Sequence, residues 1–362
     1  MKRLTKYIIL LFAVAFASCE KAGFVSEEIE LFPHAGYIRF STGVKTKAPI
    51  IDNMKARNFG VLGYEYGMNT NWQTASPLAT PETFYNQLVS CSEQGVCSYD
   101  AYPTDPDTSL KPWELSKKYS FFAYFPYSME KNNPDTVIDE LITISGSDQV
   151  NTPRVKYSLP FGSDYLDSDG MVNPDNLLDL MTASSIDQTA GAGMISFTFQ
   201  HRLFCVEVVG QNFNDTNETI SNLSVTFENL TYKEITVPMH MSDTNVDYTP
   251  NDFGAISFRL LNANESVTLP SYGNTSGAIS LAGVNKDKML MLVPQNASKN
   301  ALEGYVTFTL SGEPQSKYFS ANLNFREGRK YTLSINITGE SILVVASEAE
   351  AWEQIPVGYE FE

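Results

Sequence analysis

Tyr331-Thr332-Leu333-Ser334-Ile335-Asn336-Ile337-Thr338 alternates apolar and polar residues without a break. A period of two puts Tyr331, Leu333, Ile335 and Ile337 on one side of an extended chain and the polar residues on the other. A helix would scatter these side chains around its circumference, so the stretch reads as a strand with one face on a core and one in water. The same pattern recurs upstream. Val306, Phe308 and Leu310 alternate with Thr307 and Thr309, and Leu223, Val225 and Phe227 with Ser224, Thr226 and Glu228. Ile195, Phe197 and Phe199 alternate with Ser196, Thr198 and Gln200. Three runs, 59–66, 119–125 and 289–293, are apolar on both faces, as suits central strands covered on both sides. Turn clusters such as Asn132-Asn133-Pro134-Asp135, Asn173-Pro174-Asp175 and Glu327-Gly328 separate the runs. Helical candidates are few and short, around Leu177–Met181 and Ser347–Gln354. The expected class is all-β, built of antiparallel β-sandwiches.

The 362 residues suit about two domains. Thr189-Ala190-Gly191-Ala192-Gly193 is the natural break, since a strong strand pattern starts just after it. The expected division is a signal peptide over 1–18, a leader over 19–47, an N-terminal sandwich over 48–190 and a C-terminal one over 191–362. The halves show no evident repeat, and no segment is of low complexity.

Lys2, Arg3 and Lys6 form a basic start, followed by an eleven-residue apolar run from Tyr7 to Ala17. That run is too short to span ~30 Å of hydrocarbon and reads as an export signal. Ala17-Ser18 before Cys19 is the pattern of a bacterial lipobox, with Phe16 in place of the usual Leu. Cys19 is therefore the expected lipidation site, thioether-linked to diacylglycerol and N-acylated after cleavage, which gives a stable membrane anchor. The chain has 42 acidic and 25 basic residues, a net of −17; loss of Lys2, Arg3 and Lys6 with the signal leaves 22 basic residues and a net of −20. A surface of that sign repels phosphate backbones, which argues against nucleic acid as a partner.

Catalytic and metal signatures are poor. Of the three histidines, His34, His201 and His240, none belongs to an H-E-x-x-H motif. His201 falls in phase with Phe197, Phe199 and Leu203 and reads as a hydrogen-bonded core residue. Ser276 in Gly273-Asn274-Thr275-Ser276-Gly277 is one place off a nucleophile elbow and lies in a loop. Asp164, Asp167, Asp169 and Gly170 suggest a calcium loop, but aligning Gly170 puts Tyr165 and Asn176 where the first and last ligands belong. A solvated turn is the better reading. Export permits a disulfide closing the short loop between Cys91 and Cys97, while Cys205, within Leu203-Phe204-Cys205-Val206, reads as a buried thiol. No enzyme activity, cofactor or metal is expected.

Six segments in order resemble the fimbrillin family, the lipoprotein pilins of Bacteroidales. They are Asn58-Phe-Gly-Val-Leu-Gly-Tyr64, Lys118-Tyr-Ser-Phe-Phe-Ala-Tyr-Phe-Pro126, Leu178-Asp-Leu-Met-Thr-Ala183, Phe197-Thr-Phe-Gln-His-Arg-Leu203, Phe325-Arg-Glu-Gly-Arg-Lys-Tyr-Thr-Leu333 and Trp352. The resemblance covers nearly all of the chain after the leader. It implies two transthyretin-like sandwiches, export to the outer membrane as a surface lipoprotein, and assembly with other fimbrial subunits. In stalk members of the family, proteolysis removes an N-terminal strand and a strand from another subunit refills the vacated groove.

Family processing typically follows an arginine in a Thr-Arg-Ala-like context. Here the matching residues are Thr46-Lys47-Ala48, which departs from an arginine-specific site and leaves an anchor, tip or accessory subunit as the alternative to a stalk subunit. Lys47 and Ala48 remain the expected cleavage pair, with the strand-like piece Gly36–Gly43 as the removable plug. The expected donor strand is the C-terminal stripe of Ile355, Val357, Tyr359 and Phe361, alternating with Pro356, Gly358 and Glu360. An ordinary edge strand is its bland alternative. The competing functional reading is a monomeric surface lipoprotein that binds a glycan or a host or bacterial surface ligand, which exposed aromatics on one loop face would favour.

Overall fold

The computed structural model describes residues 36–42, 58–91, 97–99, 110–129, 137–144, 152–272, 277–281, 289–295 and 301–351. Among them, strands carry the fold, and the helical pieces are short turns such as Trp72–Ala75, Val137–Leu141 and Pro174–Asn176. The chain is all-β. Residues Ile38–Glu362 group as one compact unit. No helix among the described residues is long and apolar enough to cross a membrane.

A six-stranded sheet runs in the order Gln200–His201, Met181–Gln188, Lys117–Phe125, Asn58–Gly67, Phe84–Cys91, Cys97–Ser98, with every neighbouring pair antiparallel. Asn58–Gly67 and Lys117–Phe125 lie at its centre, which explains why their sequences are apolar at both parities. Phe59, Val61, Phe121 and Ala123 face one core. Leu62, Tyr64, Phe122 and Tyr124 face another, which continues into the second half of the chain. Gly63 is set by close packing, since a Cβ there would stand 2.7 Å from the Phe84 ring.

Past residue 200, two further sheets share the larger core. One is Ile279–Ser280, Phe204–Asn212, Arg329–Thr338 and Ser341–Ala351, with Leu290–Leu292 also on Phe204–Asn212. The other is Ile256–Arg259, Glu218–Phe227, Leu302–Leu310 and Glu313–Ala321, with Ser266–Leu269 also on Glu218–Phe227. Tyr331, Leu333, Ile335 and Ile337 are all buried and meet Leu223, Val225, Phe227, Val306 and Phe308 in one cluster. The alternations thus point inward in the phase expected. Phe204–Asn212 pairs with Arg329–Thr338 in parallel, an exception to the antiparallel expectation.

A four-stranded sheet joins the two halves of the sequence: Asp247–Pro250, Tyr232–Pro238, Arg154–Ser158, Ile142–Ile144. Tyr157 pairs with Ile235 across it. The segment at the expected break is a 3-10 turn, Ala190–Ala192, followed by Gly193 at φ +70°. Strand pairing is continuous across this point.

Three local expectations need correction. Leu177–Met181 is not a helix. Asn173 caps the preceding turn by accepting from the Asp175 N–H, and the chain then extends into Met181–Gln188. Ser347–Ala351 lies within the strand Ser341–Ala351, because pairing with Arg329–Thr338 overrides the helix-favouring Ala and Glu content. Leu290–Leu292 is buried on both faces but, among the described residues, hydrogen-bonds to one strand only.

The smaller readings fare well. Cys91 and Cys97 are disulfide-bonded and lie opposite each other in register. Cys205 is a buried thiol, its Sγ 3.3 Å from Met289 Sδ, and burial raises its pKa. His201 is buried, with Nδ1 2.9 Å from Asp179 Oδ1. Asp167 and Asp169 bond Arg259, and Asp167 also accepts from the Asp169 and Met171 N–H groups, so the turn is pinned by a guanidinium.

Candidate functional site

The short strand Phe40–Thr42 is the most unusual feature of the described residues. Phe40–Thr42 lies parallel to Ile195–Phe197, with Phe40 opposite Ile195, Ser41 opposite Ser196 and Thr42 opposite Phe197. Three residues of parallel pairing form a weak ladder. What holds the segment is its side chains and a few well-placed polar groups.

Ile38 and Phe40 point to the same side, as period-two geometry requires, and are 0% and 1% exposed. The Phe40 ring is surrounded by other rings: Phe84 at 5.6 Å, Tyr99 at 5.5 Å, Phe121 at 5.4 Å and Phe197 at 5.5 Å between centroids. Most of these contacts are tilted or edge-on, the arrangement aromatic quadrupoles favour. Burying two such side chains contributes about 3–6 kcal/mol at ~1.5–3 kcal/mol each.

The backbone is tied by a relay through Tyr99. Its hydroxyl donates to the Ile38 carbonyl at 2.7 Å and accepts from the Lys111 N–H at 3.1 Å. The Ile38 N–H donates to the Lys111 carbonyl at 2.8 Å, and the Ile195 N–H to the Arg39 carbonyl at 2.8 Å. Ser41 Oγ and Ser196 Oγ lie 2.8 Å apart. Burial pushes the Tyr99 hydroxyl up to about 12, so it stays protonated and able to donate. Tyr99 follows Cys97, and its ring stands 4.9 Å from Phe84, so the Cys91–Cys97 disulfide fixes the strand end that carries the relay.

This arrangement is a slot. Its walls are aromatic and accept a strand whose alternate side chains are bulky and apolar. Among the described residues no group of three or more His, Cys, Asp or Glu could hold a metal ion.

Of the residues singled out from the sequence, the plug piece is described through Thr42. Cys19, Lys47, Ala48, Ser276 and the stripe Ile355, Val357, Tyr359 and Phe361 lie outside the described residues. Sequence reasoning did not find the slot's far wall. Tyr99 and Lys111 come from irregular segments with no periodicity, and only the cysteine spacing hinted that the chain near Tyr99 is fixed.

The sequence profile of the fimbrillin-like family matches residues 46–352. The fimbrium subunit Fim1C of Phocaeicola vulgatus is 28% identical over 148 residues, which are 40% of this chain and 34% of that protein. The chain thus spans about a third of the length of this curated relative. The crystal structure of a fimbrial protein from Bacteroides vulgatus superposes with a TM-score of 0.54 at 18% identity, covering 87% of this chain and 99% of that one. That likeness is one of fold, and it agrees with the profile match, which runs over most of the sequence. The chain belongs to the fimbrillin-like family.

Proposed function

We propose that this chain is a structural subunit of cell-surface fimbriae, exported as an outer-membrane lipoprotein through Cys19 and assembled by strand addition between subunits. The observation that carries this reading is the burial of Ile38 and Phe40 in an aromatic slot a few residues before Lys47. A cut between Lys47 and Ala48 would sever the covalent link from this strand to the rest of the fold. What would then hold it is side-chain burial and the few hydrogen bonds to Tyr99, Lys111 and Ile195, none of them covalent.

A strand from a neighbouring subunit that carried alternate apolar side chains would restore the same contacts. Ile355, Val357, Tyr359 and Phe361 carry that pattern, and we assign them as the donor. Exchange of one plug for another leaves the core's burial roughly unchanged, so it proceeds without unfolding the receiver. The departure from arginine at Lys47 calls for a lysine-accepting protease. Electron microscopy of cells with and without the chain tests the reading. Fibres that vanish on deletion of the gene and return with the wild-type chain support it; identical surfaces oppose it.

A further inference from the structure

The segment Phe325-Arg326-Glu327-Gly328 does more than turn the chain. It borders a cleft of about 570 Å3, distinct from the strand slot, with the size of a small-molecule site. The floor is rigid. Gln295 pairs with Phe325 in an isolated bridge, and its side chain is used up on backbone groups, accepting from the Thr231 N–H at 2.6 Å and donating to the Val293 carbonyl at 2.7 Å. Phe325 is buried against Tyr331 and Phe204.

One wall is aromatic. Tyr232 and Tyr248, from paired strands, stack with centroids 4.7 Å apart and planes 30° apart, and Tyr248 is 38% exposed. The rim is polar and exposed. Once the Asn324 amide is oriented by its neighbours, its oxygen accepts from Arg326 Nε at 2.8 Å and Nη2 at 3.0 Å. Arg326 forms no ion pair among the described residues, so the rest of its planar fork is free to donate. Glu327 stands beside it with its carboxylate 3.4 Å from the buried Arg202 and its side chain 44% exposed, with acceptor capacity to spare.

An apolar ring face beside adjacent fixed donors and acceptors matches a specific ligand chemistry. A simple anion is repelled by Glu327 and by a chain of net charge −17. A purely apolar ligand would strip water from Arg326 and Glu327 and leave them unpaired. A pyranose answers both demands. One face presents C–H groups to an aromatic ring, and its edge carries neighbouring hydroxyls that each donate and accept. We propose that this cleft binds a neutral saccharide unit, with Tyr248 stacked on the sugar face and Arg326 and Glu327 bonded to adjacent hydroxyls. The proposal goes beyond the fimbrial reading and does not depend on it, since the residues it uses all belong to one subunit.

The test is saturation-transfer difference NMR on the full chain with D-mannose, D-galactose, N-acetyl-D-glucosamine and L-fucose, each up to about 10 mM, a range that captures millimolar affinities. At least one sugar should show transfer to its ring protons. Tyr248→Ala and Arg326→Ala should each weaken that sugar's affinity at least ~10-fold, equivalent to about 1.4 kcal/mol. Tyr318→Ala, in the exposed Tyr305–Tyr318 pair elsewhere, should leave it unchanged. Arg326 is exposed and packs no core, so its variant keeps the test sharp if Tyr248→Ala fails to fold. No transfer from any of the four sugars overturns the proposal. So does transfer undiminished in Arg326→Ala, or inorganic phosphate that competes the sugar away, which would make the cleft an anion site.

Discussion

Phe40→Ala should loosen the leader strand while leaving the rest of the fold standing. Phe40 is 1% exposed and touches four rings, so truncation removes nearly all of its burial and leaves a cavity in a wall that Phe84, Tyr99, Phe121 and Phe197 cannot easily close. Substitutions of this kind cost about 3–5 kcal/mol. If the strand opens locally, the cost appears as a rise in its open population of roughly 150- to 5,000-fold. Hydrogen exchange followed by mass spectrometry reads this directly on two peptides. One covers residues 36–42, whose Ile38 N–H bonds Lys111; the other covers 193–199, whose Ile195 N–H bonds the Arg39 carbonyl. Both should exchange faster by that factor, whereas the central strand Lys117–Phe125 should keep its protection. Equal exchange in variant and wild type would refute the idea that side-chain burial holds the strand. Loss of protection in all three would show that the strand is part of the global core and not a separable plug.

Tyr99→Phe should act on the same strand through its backbone, costing about 1–3 kcal/mol because the Ile38 carbonyl and Lys111 N–H lose a shared partner; the same two peptides report it. A fragment of residues 48–190 should fail to fold, since Arg154–Ser158 would lack its partner Tyr232–Pro238, and circular dichroism with an unfolded spectrum would confirm this. Acid should weaken the sheet that joins the halves. Burial alone would raise the Glu234 carboxyl, but hydrogen bonds from Thr249 and Ser158, with Lys156 nearby, outweigh it and hold the group below its usual range. The folded state therefore binds this proton more weakly than the unfolded one. Its contribution is present above about pH 4 and lost as the pH falls below that, and urea midpoints measured against pH should show a smaller acid loss in Glu234→Gln.

The fold was legible where one residue's neighbours determine its environment. Tyr331–Thr338 kept its phase, the runs at 59–66 and 119–125 proved to be doubly covered central strands, and His201 found a buried partner as its phase implied. Failures occurred where distant pairing decides. Ser341–Ala351 ends in Ala and Glu, which favour helix, and only its register on Arg329–Thr338 makes it a strand. The parallel pairing of Phe204–Asn212 with Arg329–Thr338 leaves no local trace. The candidate site divides the same way. The strand before Gly43 shows its period-two stripe in Ile38 and Phe40, but Tyr99 and Lys111 meet it only through the fold. The cleft was invisible, because Tyr248, Gln295 and Arg326 come from segments far apart in sequence.

If the Phe40–Thr42 strand must leave its slot for subunits to join, a covalent lock on it should stop assembly. Ser41 and Ser196 are register partners with Oγ atoms 2.8 Å apart, so the double variant Ser41→Cys, Ser196→Cys places two thiols in bridging range. Fibres on cells carrying the locked chain would be counted by electron microscopy with and without dithiothreitol, beside wild-type cells treated alike to allow for reduction of Cys91–Cys97. Few or no fibres are expected without reductant, and their return with it. Fibres in normal number on the oxidised double variant, with mass spectrometry confirming the cross-link in the fibre-borne chain, would contradict it.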